Sequence, residues 1–210
     1  MEFSIRKTTV PEFDRETLAL AGNIAERLSY DDEVGLVKFI DGKKIGVYFA
    51  PFSTFLALRR LGKRPVSFGV VGLIRKGSRY LLTRQADKVL ELEGMGKMVD
   101  VPSKSGLSFH GFAVEWENDP AECAYAELNE ELGMEREDVR ELKRMLIIRE
   151  DEVLLAILFE TGLEENVIRN LSALAIDSWE VEKIEFLEKD ESRQFLKNSY
   201  LLDIFNRLVS

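Results

Sequence analysis

The residues between Asp119 and Gly133 define a helix at both of its ends. Asp119 is a good N-cap, Pro120 suits the first helical position, and Glu122 complements the positive end of the helix dipole. Gly133 can take the left-handed conformation that stops a helix. Ala121, Ala124, Leu128 and Leu132 form one stripe that can face a core, bordered by Cys123 and Tyr125. A fold that uses this helix must cover that stripe and leave another face open.

The other face carries the chemistry. Glu127, Glu130 and Glu131 stand at i, i+3 and i+4, so their carboxylates share one side of the helix. Three acids so close repel one another unless something positive sits among them. Hard divalent cations take carboxylate oxygens, and Mg²⁺ typically uses one or two of them with phosphates and water. A solvated acidic face is the alternative in a chain rich in Glu.

The rest of the composition narrows the function classes. The 210 residues allow one large or two small domains, and 45% of them are hydrophobic. A net charge of -9 argues against non-specific nucleic-acid binding, although a bound metal can reverse the local field for an anionic small molecule. One Cys excludes an intramolecular disulfide and suits a reducing cytoplasm. With one His as well, a zinc site of Cys and His ligands is excluded. No basic stretch leads into an apolar N-terminal segment, and no apolar run is long enough to span a bilayer. The expectation is a cytoplasmic protein with neither a membrane nor a nucleic-acid partner.

The chain before the boundary expected at Gly62-Lys63-Arg64-Pro65 reads as helix, hairpin, short helix. Asp14 to Leu28 is a capped helix with Leu18, Ala21, Ala25 and Leu28 at helical spacing. Val34 to Ala50 is a hairpin around Asp41-Gly42, and Pro51 to Leu61 a short helix that can pack Phe55, Leu56 and Leu58. Beyond Pro65, Val66 to Arg75 and Arg79 to Arg84 are strands joined at Lys76-Gly77-Ser78. Gly94-Met95-Gly96-Lys97 fails the P-loop pattern, since Glu91 and Met98 stand at defined positions, and reads as a loop. Met98 to Pro102 is a short strand, Ser103 to Gly106 a loop, and Leu107 to Trp116 alternates. His110 has no nucleophile or metal partner at a telling spacing and reads as structural or solvent-facing. Asp138 to Arg149 and Glu152 to Thr161 form a second hairpin, in which Val153 to Phe159 suits a strand covered on both faces. Leu163 to Ala175 is partly helical. Trp179 to Leu187 is a strand, and Asp190 caps a last helix to about Leu208, with Phe195, Leu202, Phe205 and Leu208 on its apolar side.

Gly111-Phe112-Ala113-Val114-Glu115-Trp116-Glu117, then Asp119-Pro120 and Ala126-Glu127-Leu128-Asn129-Glu130-Glu131-Leu132-Gly133-Met134, resembles the Nudix box, G-x5-E-x7-R-E-U-x-E-E-x-G-U with U aliphatic. Ala126 stands where the family has Arg, Trp116 where a Gly usually precedes the first Glu, and one extra residue separates Glu117 from Ala126. The strand pattern extends the likeness over most of the chain after Pro65. The resemblance implies an α+β chain with the Nudix fold. A mixed β-sheet sandwiched between helices would span residues 65-210, preceded by an N-terminal α/β extension over 1-64 that in this family often serves dimerisation. It implies Mg²⁺ or Mn²⁺ held by Glu127, Glu130 and Glu131, with Glu130, Glu131 and Glu117 as catalytic residues. Glu115 is the other carboxylate near enough in sequence to take a proton from water, and either it or Glu117 could be an outer metal ligand instead. Arg84 and Gly111 would bind the substrate, with a surface Arg at a strand end as the alternative for Arg84. The implied reaction is hydrolysis of the pyrophosphate in a nucleoside diphosphate linked to another group, such as a sugar. The missing Arg and the altered first half leave a second reading open, a Nudix-fold nucleotide-binding or regulatory module with little or no turnover.

Overall fold

The structure is a computed structural model that describes residues 3–28, 31–85, 105–176, 181–197 and 199–210. The fold is α+β with a mixed sheet. The chain divides into two compact units. The first comprises Met1–Gly69, Phe112–Cys123 and Leu146–Leu155, and the second Val70–Gly111, Ala124–Met145 and Ala156–Ser210. No helix among the described residues is long and apolar enough to cross a membrane.

In the first unit, β1 (Ser4–Lys7) runs parallel to β3 (Lys44–Pro51), and β2 (Glu33–Asp41) pairs antiparallel with β3. Gly42 turns this hairpin at φ +55°, a conformation open to glycine. A bulge falls between Val37 and Phe39, and the Phe39 ring covers Gly46, where a Cβ would sit 2.3 Å from it. Asp14 caps α1 (Arg15–Ala25) by accepting the N–H and the hydroxyl of Thr17. The expected apolar stripe of α1 is displaced, since Thr17, Ala21 and Ile24 are buried and Leu18 is 54% exposed. Thr17 tolerates burial because Asp14 and Lys63 satisfy its hydroxyl.

Helix α2 (Phe52–Arg60) packs against α1, and its residues Phe52 to Leu58 are all buried. Its cap comes from 22 residues upstream: Asp31 accepts the N–H of Ser53 at 2.6 Å and its hydroxyl at 2.7 Å. β4 (Ser67–Lys76) starts here beside β2, with Leu36 opposite Ser67.

Residues 112–123 are bound into this unit. Gly35 N–H donates to the Ala113 carbonyl at 2.7 Å, and Ala113 N–H donates to Phe68 at 3.0 Å. The buried Trp116 meets Phe49 edge-on, with ring centroids 5.2 Å apart, and Phe68 at 5.6 Å. Phe112 stands edge-on to Phe52 and Phe55.

The second unit opens with the rest of β4, which forms a hairpin with β5 (Arg79–Gln85) around Gly77 at φ +59°. Among the described residues, β4 and β5 pair through Ile74–Lys76 and Arg79–Leu81. Beyond that, β5 pairs with β6 (Ser105–Gly106) and β4 with β7 (Phe109–Phe112). Part of the expected Ser103 to Gly106 loop is therefore strand, because Ser105 and Gly106 oppose Arg84 and Thr83. The buried Ser108 closes the point of divergence. Its hydroxyl accepts the Ile74 N–H and donates to the Leu81 carbonyl, each at 2.7 Å. The Thr83 hydroxyl donates to Leu107 at 2.6 Å. Gly72 leaves room for the Phe109 ring, 1.9 Å from where a Cβ would lie.

The box helix is α3 (Ala121–Leu132), and a 3-10 turn follows at Arg136–Asp138. β8 (Val139–Ile148) and β9 (Glu152–Thr161) form the second hairpin, and Val153 to Phe159 are buried throughout. α4 (Glu165–Leu174) supplies the helix expected within Leu163 to Ala175. β10 (Val181–Glu188) pairs antiparallel with β5.

The single terminal helix expected from Asp190 is instead two, α5 (Lys189–Phe195) and α6 (Leu201–Val209). Glu188, in a capping box with Glu191, starts the first. Ser199 breaks the run, with its N–H on the Leu196 carbonyl and its hydroxyl taking the Leu201 N–H. The break turns the buried face to Leu201, Ile204, Phe205 and Leu208 and leaves Phe195 and Leu202 partly exposed. The expected loop at Gly94 to Lys97, the strand at Met98 to Pro102, and Trp179 lie outside the described residues.

Candidate functional site

The site grows from the way α3 is started, stopped and faced. Asp119 accepts the Ala121 N–H at 3.0 Å through its side chain and the Glu122 N–H at 2.8 Å through its carbonyl. The Glu122 carboxylate reaches back and accepts the N–H groups of Glu117 (2.8 Å), Asn118 (3.2 Å) and Asp119 (3.2 Å). These donors, the Glu117 N–H foremost, hold the Glu122 carboxyl below the usual carboxylate range. Gly133 ends the helix at φ +63°, its N–H on the Asn129 carbonyl at 2.8 Å. A side chain there would meet the Leu171 carbonyl at 2.6 Å. The apolar stripe is the expected one, with Ala121, Cys123, Ala124, Leu128 and Leu132 buried.

Of the three box acids, two meet adjacent residues of β7. Glu127 lies over Gly111, and a Cβ built on that glycine would fall 2.0 Å from Oε1 of Glu127. Glu131 accepts the backbone N–H of His110 at 3.2 Å and is only 8% exposed. The acidic face expected to be open is therefore closed at Glu131, while Glu127 and Glu130 are half-buried. Tyr125, on another side of the helix, stacks edge-on to Phe159 at 5.4 Å and carries the Arg136 guanidinium 4.7 Å above its ring.

The other candidates fall in different surroundings. Arg84 sits at the end of β5 with its guanidinium 5.5 Å over the Phe195 ring. Glu115 and Glu117 belong to the first unit. Glu115 is exposed and pairs with Lys7 at 3.1 Å, and Glu117 is exposed, its N–H held by Glu122. The imidazole of His110 gave no signal for its residue's part here, because the group in contact with Glu131 is a backbone N–H, which every non-proline residue has.

The donor set suits a hard divalent ion, since it consists of carboxylate oxygens and the space taken by one of them depends on the missing side chain of Gly111. Among the described residues, no three His, Cys, Asp or Glu side chains gather closely enough to hold a metal ion as they stand. Glu127, Glu130 and Glu131 are the residues that would hold it.

No protein-family model matches the sequence, and no curated protein matches it. The structure is similar to those of an Ap4A hydrolase from C. elegans (11% identity, TM-score 0.45, covering 69% of this chain and 96% of that one). It is also similar to a NUDIX hydrolase from Nitrosomonas europaea (13% identity, TM-score 0.43, 69% of this chain and 88% of that one). A third similar structure is a mutT/nudix family protein from Listeria innocua (13% identity, TM-score 0.45, 68% of this chain and 91% of that one).

Proposed function

We propose that this chain is a Mg²⁺-dependent hydrolase of the Nudix type. Its substrate would be a small-molecule nucleoside diphosphate linked to another group, such as a sugar, cleaved at the pyrophosphate. The observation that carries the reading is the arrangement of α3 on β7, where box acids Glu127 and Glu131 meet Gly111 and His110. The spacing of the box acids in the sequence supports it independently. When bound, the ion supplies neutralisation of phosphate charge and a lowered pKa for attacking water. Glu127, Glu130 and Glu131 would supply its oxygen ligands. Of the two carboxylates that the box resemblance offers for the water's proton, Glu115 pairs with Lys7 and Glu117 is exposed. Water adds to one phosphorus, the bridging oxygen leaves with the other phosphoryl group, and two phosphate products result.

A second reading, a nucleotide-binding module of the same fold with little turnover, is favoured by the burial of Glu131 and by the neutral Ala126 where the family pattern has Arg. One experiment separates the two. Nucleotide sugars, dinucleotides and nucleoside triphosphates are assayed for phosphate products with and without Mg²⁺, in the wild type and in Glu130→Gln. The hydrolase reading expects Mg²⁺-dependent turnover of a diphosphate derivative that Glu130→Gln abolishes with folding nearly intact. Tight nucleotide binding with no turnover of any compound would establish the module instead.

A further inference from the structure

Each edge of the β2–β3 hairpin is taken up by the same chain. On one side β1 pairs with Lys44–Val47 of β3. On the other, the Gly35 N–H donates to the Ala113 carbonyl at 2.7 Å and the Val37 N–H to the Val66 carbonyl at 2.8 Å. Open strand edges are where a sheet recruits another chain, and a paired edge is closed to it. Gly35 allows this approach of two backbones, since a Cβ there would sit 3.1 Å from the Ala113 carbonyl oxygen and 3.3 Å from that of Phe68.

The side chains repeat the pattern. Phe49 of β3 meets the buried Trp116 edge-on, and Phe52 and Phe55 of α2 meet Phe112 in the same way, with centroids 5.2, 5.7 and 5.4 Å apart. Edge-to-face pairs at such distances add to what burial of the rings contributes. Lys7 of β1 reaches Glu115 at 3.1 Å, an exposed ion pair that contributes little by itself. Strand, hairpin and helix of the N-terminal segment thus each contact residues 112–116. Few contacts cross the boundary of a segment that folds on its own.

We infer that residues 1–64 are an intramolecular scaffold for residues 112–119, the stretch that leads Glu115 and Glu117 into the box helix, and that the two fold as one cooperative unit. On this inference Pro65 is not a folding boundary, and the partner of the N-terminal segment is its own chain rather than a second copy. The inference depends neither on the hydrolase reading nor on a bound ion.

The test is amide hydrogen exchange, followed by NMR on the full-length protein in sub-denaturing guanidinium. The N–H groups of Ala113, Glu117 and Asn118 suit it because each donates to a group outside residues 1–64, the first to the Phe68 carbonyl and the others to the Glu122 carboxylate. Their protection follows the N-terminal segment only if the two open together. Ile45 is buried in the hairpin, four residues before Phe49 along β3. In Ile45→Ala, exchange at Gly35, Val37, Ala113, Glu117 and Asn118 is expected to quicken by one common factor, about 30-fold or more. Ile45→Val removes a single methylene and is expected to give a common factor of about 2–12-fold, which serves should the alanine variant not fold. Wild-type rates at these amides are expected to be unchanged on about tenfold dilution.

Ala113, Glu117 and Asn118 amides that kept their wild-type rates in the Ile45 variants would overturn the scaffold and make the segment an independent fold. Protection at Gly35 or Ala113 that fell on dilution would overturn it in favour of a second copy as the segment's partner.

Discussion

The carboxylate of Glu127 occupies the space that a side chain on Gly111 would fill, with Oε1 2.0 Å from the position of the missing Cβ. The glycine gives a box acid its seat. Gly111→Ala must displace the carboxylate, and the displacement costs the fold little, because the group that moves is the end of a flexible side chain. Alanine also suits a strand interior better than glycine by about 0.5–1 kcal/mol. The expected outcome is a melting temperature close to that of the wild type with Mn²⁺ affinity weakened about tenfold or more. Calorimetric titration of the two proteins checks it, and equal affinities would detach Glu127 from the metal.

Trp116 is a departure from the box pattern that acquires a physical reason. Its ring is buried between Phe49 and Phe68, so the stretch after β7 is fastened to the hairpin of the first unit. Trp116→Ala removes a large buried aromatic and is expected to destabilise the protein by about 3–5 kcal/mol, whereas Trp116→Phe should recover most of that loss. Urea denaturation measures both. A loss under 1 kcal/mol in the alanine variant would mean that the ring contributes little to this packing.

The same contrast explains how much of the molecule was legible in the sequence. The hairpins around Gly42 and Gly77 and the two ends of α3 could be read because their signals are local: a glycine at positive φ, a cap beside its helix. Thr17 and Ser199, polar residues within helical runs, account for two of the differences. Thr17 is buried in α1 because Lys63 reaches its hydroxyl, which displaced the apolar stripe from Leu18. Ser199 broke the terminal helix by taking the Leu201 N–H. At the candidate site the three acids were plain from their spacing. The burial of Glu131 was not, because it depends on a backbone N–H of β7 that no side chain announces.

Asp31 belongs to the features that spacing hides, since it caps α2 from 22 residues away. It satisfies one of the N–H groups that a helix start leaves without an intrahelical partner. Asp31→Ala is expected to lower stability by about 1 kcal/mol, and Asp31→Asn, which keeps an acceptor oxygen, by less. Thermal melts of the two variants at neutral pH check the order, and an alanine variant as stable as the asparagine variant would remove the capping role.

Asp14 makes the stability of α1 depend on pH in a definite direction. Its hydrogen bond with Lys63, followed by those from the backbone and hydroxyl of Thr17, holds its carboxyl at about 2, against an ordinary value of 3.8. A group with a lowered folded-state pKa binds its proton more readily in the unfolded chain. Its contribution is therefore complete above 3.8 and is lost as pH falls through that value towards 2. Asp14→Asn keeps an oxygen that can accept the Thr17 N–H but carries no charge to titrate. The variant is expected to be less stable than the wild type near neutrality, with the difference shrinking as pH falls through the window from 3.8 to 2. Denaturant titrations of both proteins at several pH values in and above that window measure it. A difference that stayed constant across the window would show that the charge on Asp14 has no part in holding α1.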